Sequence, residues 1–328
     1  MSPDFWRNRR VFVTGHTGFK GSWLMPWLDR LGAKATGYAL PEHDVRDLDT
    51  LRRALAASDA EVVFHLAAQS LVRESYADPV ETYSTNVMGT VHLLEAVRTA
   101  KRVRATVVVT SDKCYENREW LWPYRENEPL GGHDPYSSSK ACQELVAAAY
   151  RHSFNGSPIA TARAGNVIGG GDEAKDRLVP DLIRAFSGGR AATIRNPRAI
   201  RPWQHVLEPL AGYLLLAERL AEDPSFAGAW NFGPNEHDVR SVHEIADALA
   251  ARWGADALWQ QDEATHPHEA MTLKLDSTRA RTLLGWSPRL SLDTALDWIV
   301  DWHRRDDPRT ITMQQIERFE QLTAVHSR

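Results

Sequence analysis

Apolar residues in the first half of the chain alternate between short β-branched runs and stretches with helical spacing. Residues 10–14 (RVFVT) form such a run, after which Trp23, Leu24, Trp27, Leu28 and Leu31 recur on one helical face. This predicts strand, tight turn, helix. Residues 35–40 predict a second strand, 48–57 a helix and 61–66 (EVVFHL) a third strand. The alternation continues with a helix over 82–100, a buried strand over 105–110 (ATVVVT), a helix over 136–152 and a strand over 159–164. Near-continuous apolar strands joined by amphipathic helices require a parallel sheet covered on both faces, because parallel neighbours need crossover connections. The fold class is therefore α/β, a doubly wound parallel sheet over residues 1–165 followed by a smaller α/β lobe made mainly of 166–328. Segments near 203–235 are expected to complete the sheet. Beyond 165 the regular alternation stops at Gly169, Gly170, Gly171 and Asp172, and no internal repeat or low-complexity linker marks a hinge. The tail from Thr310 reads as a short polar amphipathic segment.

Composition narrows the function classes. The 328 residues correspond to roughly two domains at about 150 residues each. Hydrophobic residues at 43% and charged residues at 25% are those of an ordinary globular protein and exclude disordered or collagenous classes. Lys plus Arg number 39 against 43 Asp plus Glu, so no chain-wide positive field is available for nucleic acid. Anionic ligands must be gripped locally. Two cysteines, Cys114 and Cys142, exclude a disulfide framework or a four-cysteine zinc site and suggest a reducing, cytoplasmic setting. No apolar run approaches the roughly 18 residues of a membrane span, no secretory leader pattern is present, and no His/Cys/carboxylate spacing suggests a metal. The twelve tryptophans mostly sit beside other apolar residues and read as core.

Thr14-Gly15-His16-Thr17-Gly18-Phe19-Lys20-Gly21 sets three glycines at G-x-x-G-x-x-G spacing directly after the first strand. Glycine removes the Cβ atoms that would hold a dinucleotide pyrophosphate off the backbone, and the following helix offers free N–H groups and positive dipole to that anion. The loop is the predicted Rossmann cofactor site. Lys20 in the first helical turn opposes the dipole unless an anion sits there. No carboxylate ends the second strand, where Tyr38, Ala39 and Leu40 stand, and no Arg awaits a 2′-phosphate, so the segment favours NAD over NADP. Asp44 or Val45 could meet the adenine, while Asp47 could equally be a helix N-cap.

Tyr136 and Lys140 are four residues apart, just after Pro135, on one face of the helix that follows the buried strand ending in Thr110-Ser111-Asp112. A phenol with a reference pKa near 10 is no base at neutral pH, whereas an adjacent ammonium and a cationic cofactor ring both favour the phenolate.

Together with His65-Leu66-Ala67-Ala68, Asn86 and Asn231-Phe232-Gly233-Pro234, these motifs resemble an extended short-chain dehydrogenase/reductase acting on nucleotide sugars, over nearly the whole chain. Residues 14–24, Gln69-Ser70-Leu71-Val72-Arg73, Thr110-Ser111-Asp112-Lys113-Cys114-Tyr115 and 194–206 look like the 4,6-dehydratase group that acts on CDP-glucose. Related dTDP-glucose dehydratases carry Asp-Glu where this chain has Asp112-Lys113. The resemblance implies a hydro-lyase with internally recycled NAD. Tyr136 would be the base at the 4-hydroxyl, Ser111 its hydrogen-bonding partner, Asp112 the acid at the 6-hydroxyl, Lys113 the base at carbon 5, and Lys140 the ammonium beside the phenol. It also implies cofactor contacts from the glycine loop, Asp44, Val45, Leu66, Ala67 and Ala68. Substrate contacts are implied for Gln69, Ser70, Asn166, Leu178, Val179, Arg201, His268 and Glu269, with Arg201 offering a planar fork to the diphosphate. His65 reads as a hydrogen-bonded structural residue. The short segment before Asp44 departs from the family pattern and bears on adenosine binding. A 4-epimerase, a dehydratase for another nucleotide and a non-catalytic NAD-sensing regulator are the competing readings, and retention of Tyr136 and Lys140 argues against the last. The helices over 82–100 and 136–152 would pair across a two-fold axis, giving a homodimer or a dimer of dimers.

Overall fold

The computed structural model describes residues 2–264 and 270–325. Strands β1 (Arg10–Thr14), β2 (Lys34–Tyr38), β3 (Val62–His65), β4 (Ala105–Val109) and β5 (Ile159–Ala164) join a late strand, Gly228–Phe232, in one six-stranded sheet. The spatial order runs Gly228–Phe232, β5, β4, β3, β1, β2, and every pair is parallel. Reversal of the strand order beside β1 opens a crevice at the carboxyl ends of β1, β3 and β4, the usual place for a ligand in such a sheet.

Burial follows the pattern that predicted it. All of β4 and β5 is buried, as helices on both faces demand. Strand β2 stops at Tyr38, two residues short of expectation, and the chain turns away through Leu40-Pro41. The segment expected as one helix over 82–100 is three pieces: Pro79–Tyr83, a π-helical turn Ser84–Met88 and Gly89–Thr99. Asn86 in that turn is fully buried. Its amide accepts from the Gln69 N–H at 2.8 Å and donates to the Gln69 carbonyl at 2.9 Å and the Ser139 hydroxyl at 2.8 Å. A widened turn at a functional site thus ties the loop after β3 to the helix Pro135–Ser153.

The later half supplies both core and lobe. Helix Leu207–Glu222 lies against β4 and β5, and Tyr213, Leu214, Leu216, Ala217 and Leu220 are buried there with Trp23, Trp27, Trp230 and Phe232. A separate core of Val179, Leu182, Ile183, Phe186, Trp203, Ile245, Leu249 and Ile299 holds the lobe, whose strands are short pairs such as Ile200–Pro202 with Val239–Ser241. Most tryptophans are core, but Trp122 is largely exposed.

The tail corrects the sequence reading. Helix Pro308–Val325 is neither short nor surface-bound: Ile316 and Phe319 are fully buried. The Phe319 ring meets Trp27 edge-on at 5.7 Å, and Glu320 accepts from the Trp27 indole at 2.9 Å and from Arg30 at 2.8 Å. The helix Phe19–Arg30, which starts at the glycine loop, is therefore clamped from outside the sheet. Phe319→Ala is expected to destabilise the protein by about 3–5 kcal/mol through the cavity it leaves, read as a lowered thermal midpoint. An unchanged midpoint would show that the tail does not brace this helix.

Candidate active site

The glycine loop is built by close backbone approach. Gly15 follows β1 with φ +69°, and a Cβ there would lie 2.6 Å from the Ala67 nitrogen. A Cβ on Gly21 would lie 2.4 Å from the Gly15 carbonyl oxygen. Both glycines are demanded by packing. Gly18 is different: its Cβ would meet only the Gly15 oxygen, at 3.4 Å, and it starts the helix without any side-chain cap. The helix amino end is left open toward a cavity of about 760 Å³. Uncapped N–H groups beside a bare glycine fit a pyrophosphate. Leu66 and Ala68 line the same cavity, while Ala67 packs behind Gly15.

The adenosine end departs from expectation. The His16 ring lies over Gly37, where a Cβ would approach it to 2.4 Å, and its Nδ1 is buried without a hydrogen-bond partner. The Asp44 carboxylate is gripped by the Arg46 guanidinium and backbone N–H, and Arg46 also pairs with Glu81. Val45 is buried against Gly89. Neither Asp44 nor Val45 lines the cavity, and Asp47 caps the helix Leu48–Ser58 by accepting from the Thr50 N–H at 3.0 Å. The short connection turns the acid onto its own neighbour. The Gln69 side-chain amide donates to the Leu71 carbonyl and the Thr82 hydroxyl and accepts from the Leu71 N–H.

The reactive side of the cavity sits where β4 ends. Ser111, Asp112 and Lys113 line it with Tyr136, Lys140 and Lys20. The Ser111 hydroxyl donates to Asp112 Oδ1 at 3.0 Å and accepts from the Lys113 N–H at 3.2 Å, closing the short turn Asp112–Cys114. Asp112 is 4% exposed and its Oδ2 is buried without a partner. Burial pushes its carboxyl above the usual carboxylate range, against the pull of Lys113, Ser111 and Arg201. A carboxyl raised in this way holds a proton more tightly than a free one.

Tyr136 enters through a rigid helix start. Asp134 caps the helix Pro135–Ser153 by accepting from the Ser137 N–H at 2.9 Å, and the Ser75 hydroxyl accepts from the Tyr136 N–H at 3.1 Å. Lys140 is 2% exposed, its Nζ 5.9 Å from the Tyr136 ring centre. Burial, with Lys20 adding repulsion, lowers Lys140 to about 7. Burial also pushes the Tyr136 phenol up to about 12, outweighing the Ser111 hydrogen bond and Arg177. Of the two influences expected to favour the phenolate, the Lys140 ammonium fades as the amine loses its charge near neutrality, which leaves the larger share to a cationic cofactor ring. His65, fully buried between the Thr14 hydroxyl at 2.7 Å and the Thr90 hydroxyl at 3.1 Å, is lowered to about 3 by burial and is structural.

Arg177 and Tyr213 were missed by sequence reasoning, whereas Lys20 was expected in the cofactor loop. Lys20 leaves the cofactor loop and reaches the Tyr213 hydroxyl at 3.3 Å; burial and Arg177 lower it to about 8. Arg177 donates to Asp172 at 3.0 Å and to Ser70 at 2.8 Å across the cavity mouth, and Arg73 and Arg195 share Asp176 beside it. Arg177 stands one residue before Leu178 and Val179, both cavity-lining, so proximity to that pair was an available signal; Tyr213 lies in an apolar helix and offered none. Asn166 and Ser70 line the cavity. Arg201 does too, its guanidinium donating to the carbonyls of Ile200, Ala270 and Met271. His268 and Glu269 lie outside the described residues.

A parallel doubly wound sheet, an open glycine-rich helix start and a Tyr-x-x-x-Lys pair at the switch point define a dinucleotide-dependent enzyme of the short-chain dehydrogenase/reductase class. The family model described as GDP-mannose 4,6 dehydratase matches residues 29–298, and the chain belongs to that family. It is 53% identical to a CDP-glucose 4,6-dehydratase of Salmonella typhimurium, over 93% of each chain. It is 25% identical to a dTDP-glucose 4,6-dehydratase of Haemophilus influenzae, over 89% of this chain and 97% of that one. Among solved structures, the Thermus thermophilus UDP-glucose 4-epimerase complex with NAD superimposes with a TM-score of 0.80 at 24% identity, covering 91% of this chain and 100% of that one.

Burying a lysine that would be charged in water costs stability. Unfolded Lys140 titrates near 10.5 and folded Lys140 near 7, so between these values the unfolded chain holds more protons and stability rises with pH. Lys140→Met should therefore raise the thermal midpoint at about pH 6, with the gain shrinking toward about pH 10, while turnover is lost. A pH-independent difference would show that the amine is not desolvated.

Proposed function

We propose that this chain is an NAD-dependent 4,6-dehydratase of a nucleoside-diphosphate hexose that converts CDP-glucose to CDP-4-keto-6-deoxyglucose and water. The observation that carries the reading is the Asp112-Lys113 turn beside Tyr136 and Ser111 in one cavity, with Asp112 buried and its carboxyl raised by that burial. Simple epimerisation has no use for that acid. The 53% identity to a CDP-glucose 4,6-dehydratase supports the choice of nucleotide. The open helix start at Gly18, with Thr17, Phe19, Leu66 and Ala68, would hold the cofactor. Arg177, Arg201, Asn166, Leu178 and Val179 would hold the nucleotide and diphosphate, in a lobe built mainly from residues 166–328.

Tyr136 takes the proton of the 4-hydroxyl, and Ser111 hydrogen-bonds the same oxygen. Bound NAD, held at the open helix start, would supply the hydride acceptor for carbon 4 and donor for carbon 6, and a positive ring charge that favours ionisation of Tyr136. The 4-ketone acidifies carbon 5, whose proton goes to Lys113 as the carbon 6–oxygen bond breaks. Asp112 gives its proton to the departing oxygen, and water leaves. Lys113 returns its proton to carbon 5. The proton gained by Tyr136 balances the one surrendered by Asp112, so the protein ends with the protons it began with.

We also assign a homodimer or dimer of dimers, paired through the helical segment 82–100 and the helix Pro135–Ser153; the exposed Tyr83, Met88 and Leu145 on them support this. A cytoplasmic setting fits the two free cysteines and the absence, among described residues, of any helix long and apolar enough to cross a membrane.

The test offers CDP-, dTDP-, UDP- and GDP-hexoses, with product identified by mass and NMR. CDP-glucose should be preferred and give a 4-keto-6-deoxy product; a 4-epimer would overturn the reading. Tyr136→Phe should lower turnover by about 10²–10⁴-fold. In deuterated solvent, Asp112→Asn should keep exchange at carbon 5 while water loss slows, whereas Lys113→Met should lose both. Reversed outcomes would exchange the two roles.

A further inference from the structure

Arg201 does not stand alone at the cavity wall. Its Nη1 donates to the Ile200 carbonyl at 2.9 Å and the Met271 carbonyl at 3.2 Å, and its Nη2 to the Ala270 carbonyl. The plane of the guanidinium is thus set by two successive peptides, 270 and 271. The Met271 carbonyl also accepts from the Ile200 N–H at 2.8 Å, and Ile200 bridges Thr272. What fixes those peptides decides where Arg201 points.

They are fixed by the loop that leaves the Asp112–Cys114 turn. The Glu119 carboxylate accepts from the Met271 N–H, Asn117 donates to the Thr272 carbonyl at 3.0 Å, and Tyr124 bridges Leu275. Glu119 is itself held in the left-handed region at φ +53°, its N–H donating to Asn117 Oδ1 at 2.9 Å. The Arg118 N–H donates to the Tyr124 hydroxyl at 2.6 Å, which in turn donates to the same Asn117 oxygen at 3.0 Å. A non-glycine residue kept at positive φ by such contacts indicates a position determined by its surroundings. Residues 117–124 therefore form a strap laid along 270–276, running from the reacting end of the cavity to the peptides that orient Arg201.

We propose that Glu119 is a positioning residue for the nucleotide-sugar substrate, holding the 270–271 peptides so that the Arg201 guanidinium faces the diphosphate. The assignment rests on the reading of the cavity as the nucleotide-sugar site. Glu119 touches neither substrate nor cofactor and carries no proton in the reaction. Its loss leaves the chemistry intact and the grip loosened.

The test compares the parent protein with Glu119→Ala and Glu119→Gln, measuring CDP and NAD binding by calorimetry, steady-state kinetics and amide exchange at Met271. Glu119→Ala should weaken CDP binding and raise KM for the nucleotide sugar by about tenfold, the worth of one charge-assisted hydrogen bond. Turnover number and NAD affinity should stay within about twofold, which is under half a kcal/mol, and exchange at Met271 should quicken. Glu119→Gln, whose amide oxygen can still accept that N–H, should recover most of the CDP affinity. The proposal is overturned if Glu119→Ala leaves CDP binding and KM unchanged, if kcat, NAD affinity and thermal midpoint fall together as a general loss of packing would cause, or if the folded Gln variant behaves as the Ala variant does. A parent protein that binds NAD but no CDP overturns the functional reading, and this assignment with it.

Discussion

Removing water from the carboxyl edge of the sheet is what makes an ordinary set of side chains reactive. Lys140, Asp112, Tyr136 and Lys20 all line the cavity at the carboxyl ends of β1 and β4, and burial is the largest influence on each. It drives every one of them toward its neutral form. For the amines that creates bases, for the carboxyl an acid, and for the phenol a proton that is hard to remove. The same desolvation thus prepares the elimination and obstructs the first proton transfer, so the phenol needs help that the carboxyl does not.

That edge is held by a buried polar frame. Glu144, on the helix that carries Tyr136 and Lys140, accepts from the hydroxyls of Thr110 at 2.5 Å and Thr161 at 2.7 Å and from Arg163 at 2.8 Å. Arg163 also donates to the Tyr115 hydroxyl at 2.7 Å, which donates to Asn231 at 2.8 Å. One carboxylate so fastens the helix to β4 and β5, and one guanidinium links β5 to the chain after the catalytic turn and to the late strand. A charge pair buried this deeply is costly to break, since the orphaned partner would stay desolvated. Here it fixes the register between the Tyr/Lys helix and the Ser111-Asp112-Lys113 turn.

Legibility in the sequence tracked how local each feature is. The β-branched run before Gly15 placed the loop, and four-residue spacing placed Tyr136 and Lys140 on one face, because both depend only on neighbouring residues. The pairing of Asp44 was not legible, since it depends on Arg46 two positions on, which Glu81 holds from another helix. The tail helix escaped because Ile311, Ile316 and Phe319 are sparse among polar residues and gain meaning only against Trp27 and Arg30, almost three hundred positions away in sequence. Lys20 was placed at the pyrophosphate by its position in the loop. Its side chain is long enough to cross toward Tyr213, and no pattern encodes that choice.

The arrangement of fixed charge explains how one cavity can serve steps that make opposite demands. Asp172 and Ser70 anchor the Arg177 guanidinium at the cavity mouth. From there it lowers Lys20 and pulls on the Tyr136 proton. Lys113, the Ser111 hydroxyl and Arg201 draw the Asp112 carboxyl down while burial draws it up, and burial prevails. The carboxyl is therefore set by opposing influences, from its own turn and from the far wall of the cavity. One of these influences, Arg201, belongs to the wall proposed to grip the diphosphate, so the proposed acid and the proposed grip share a residue across a single cavity.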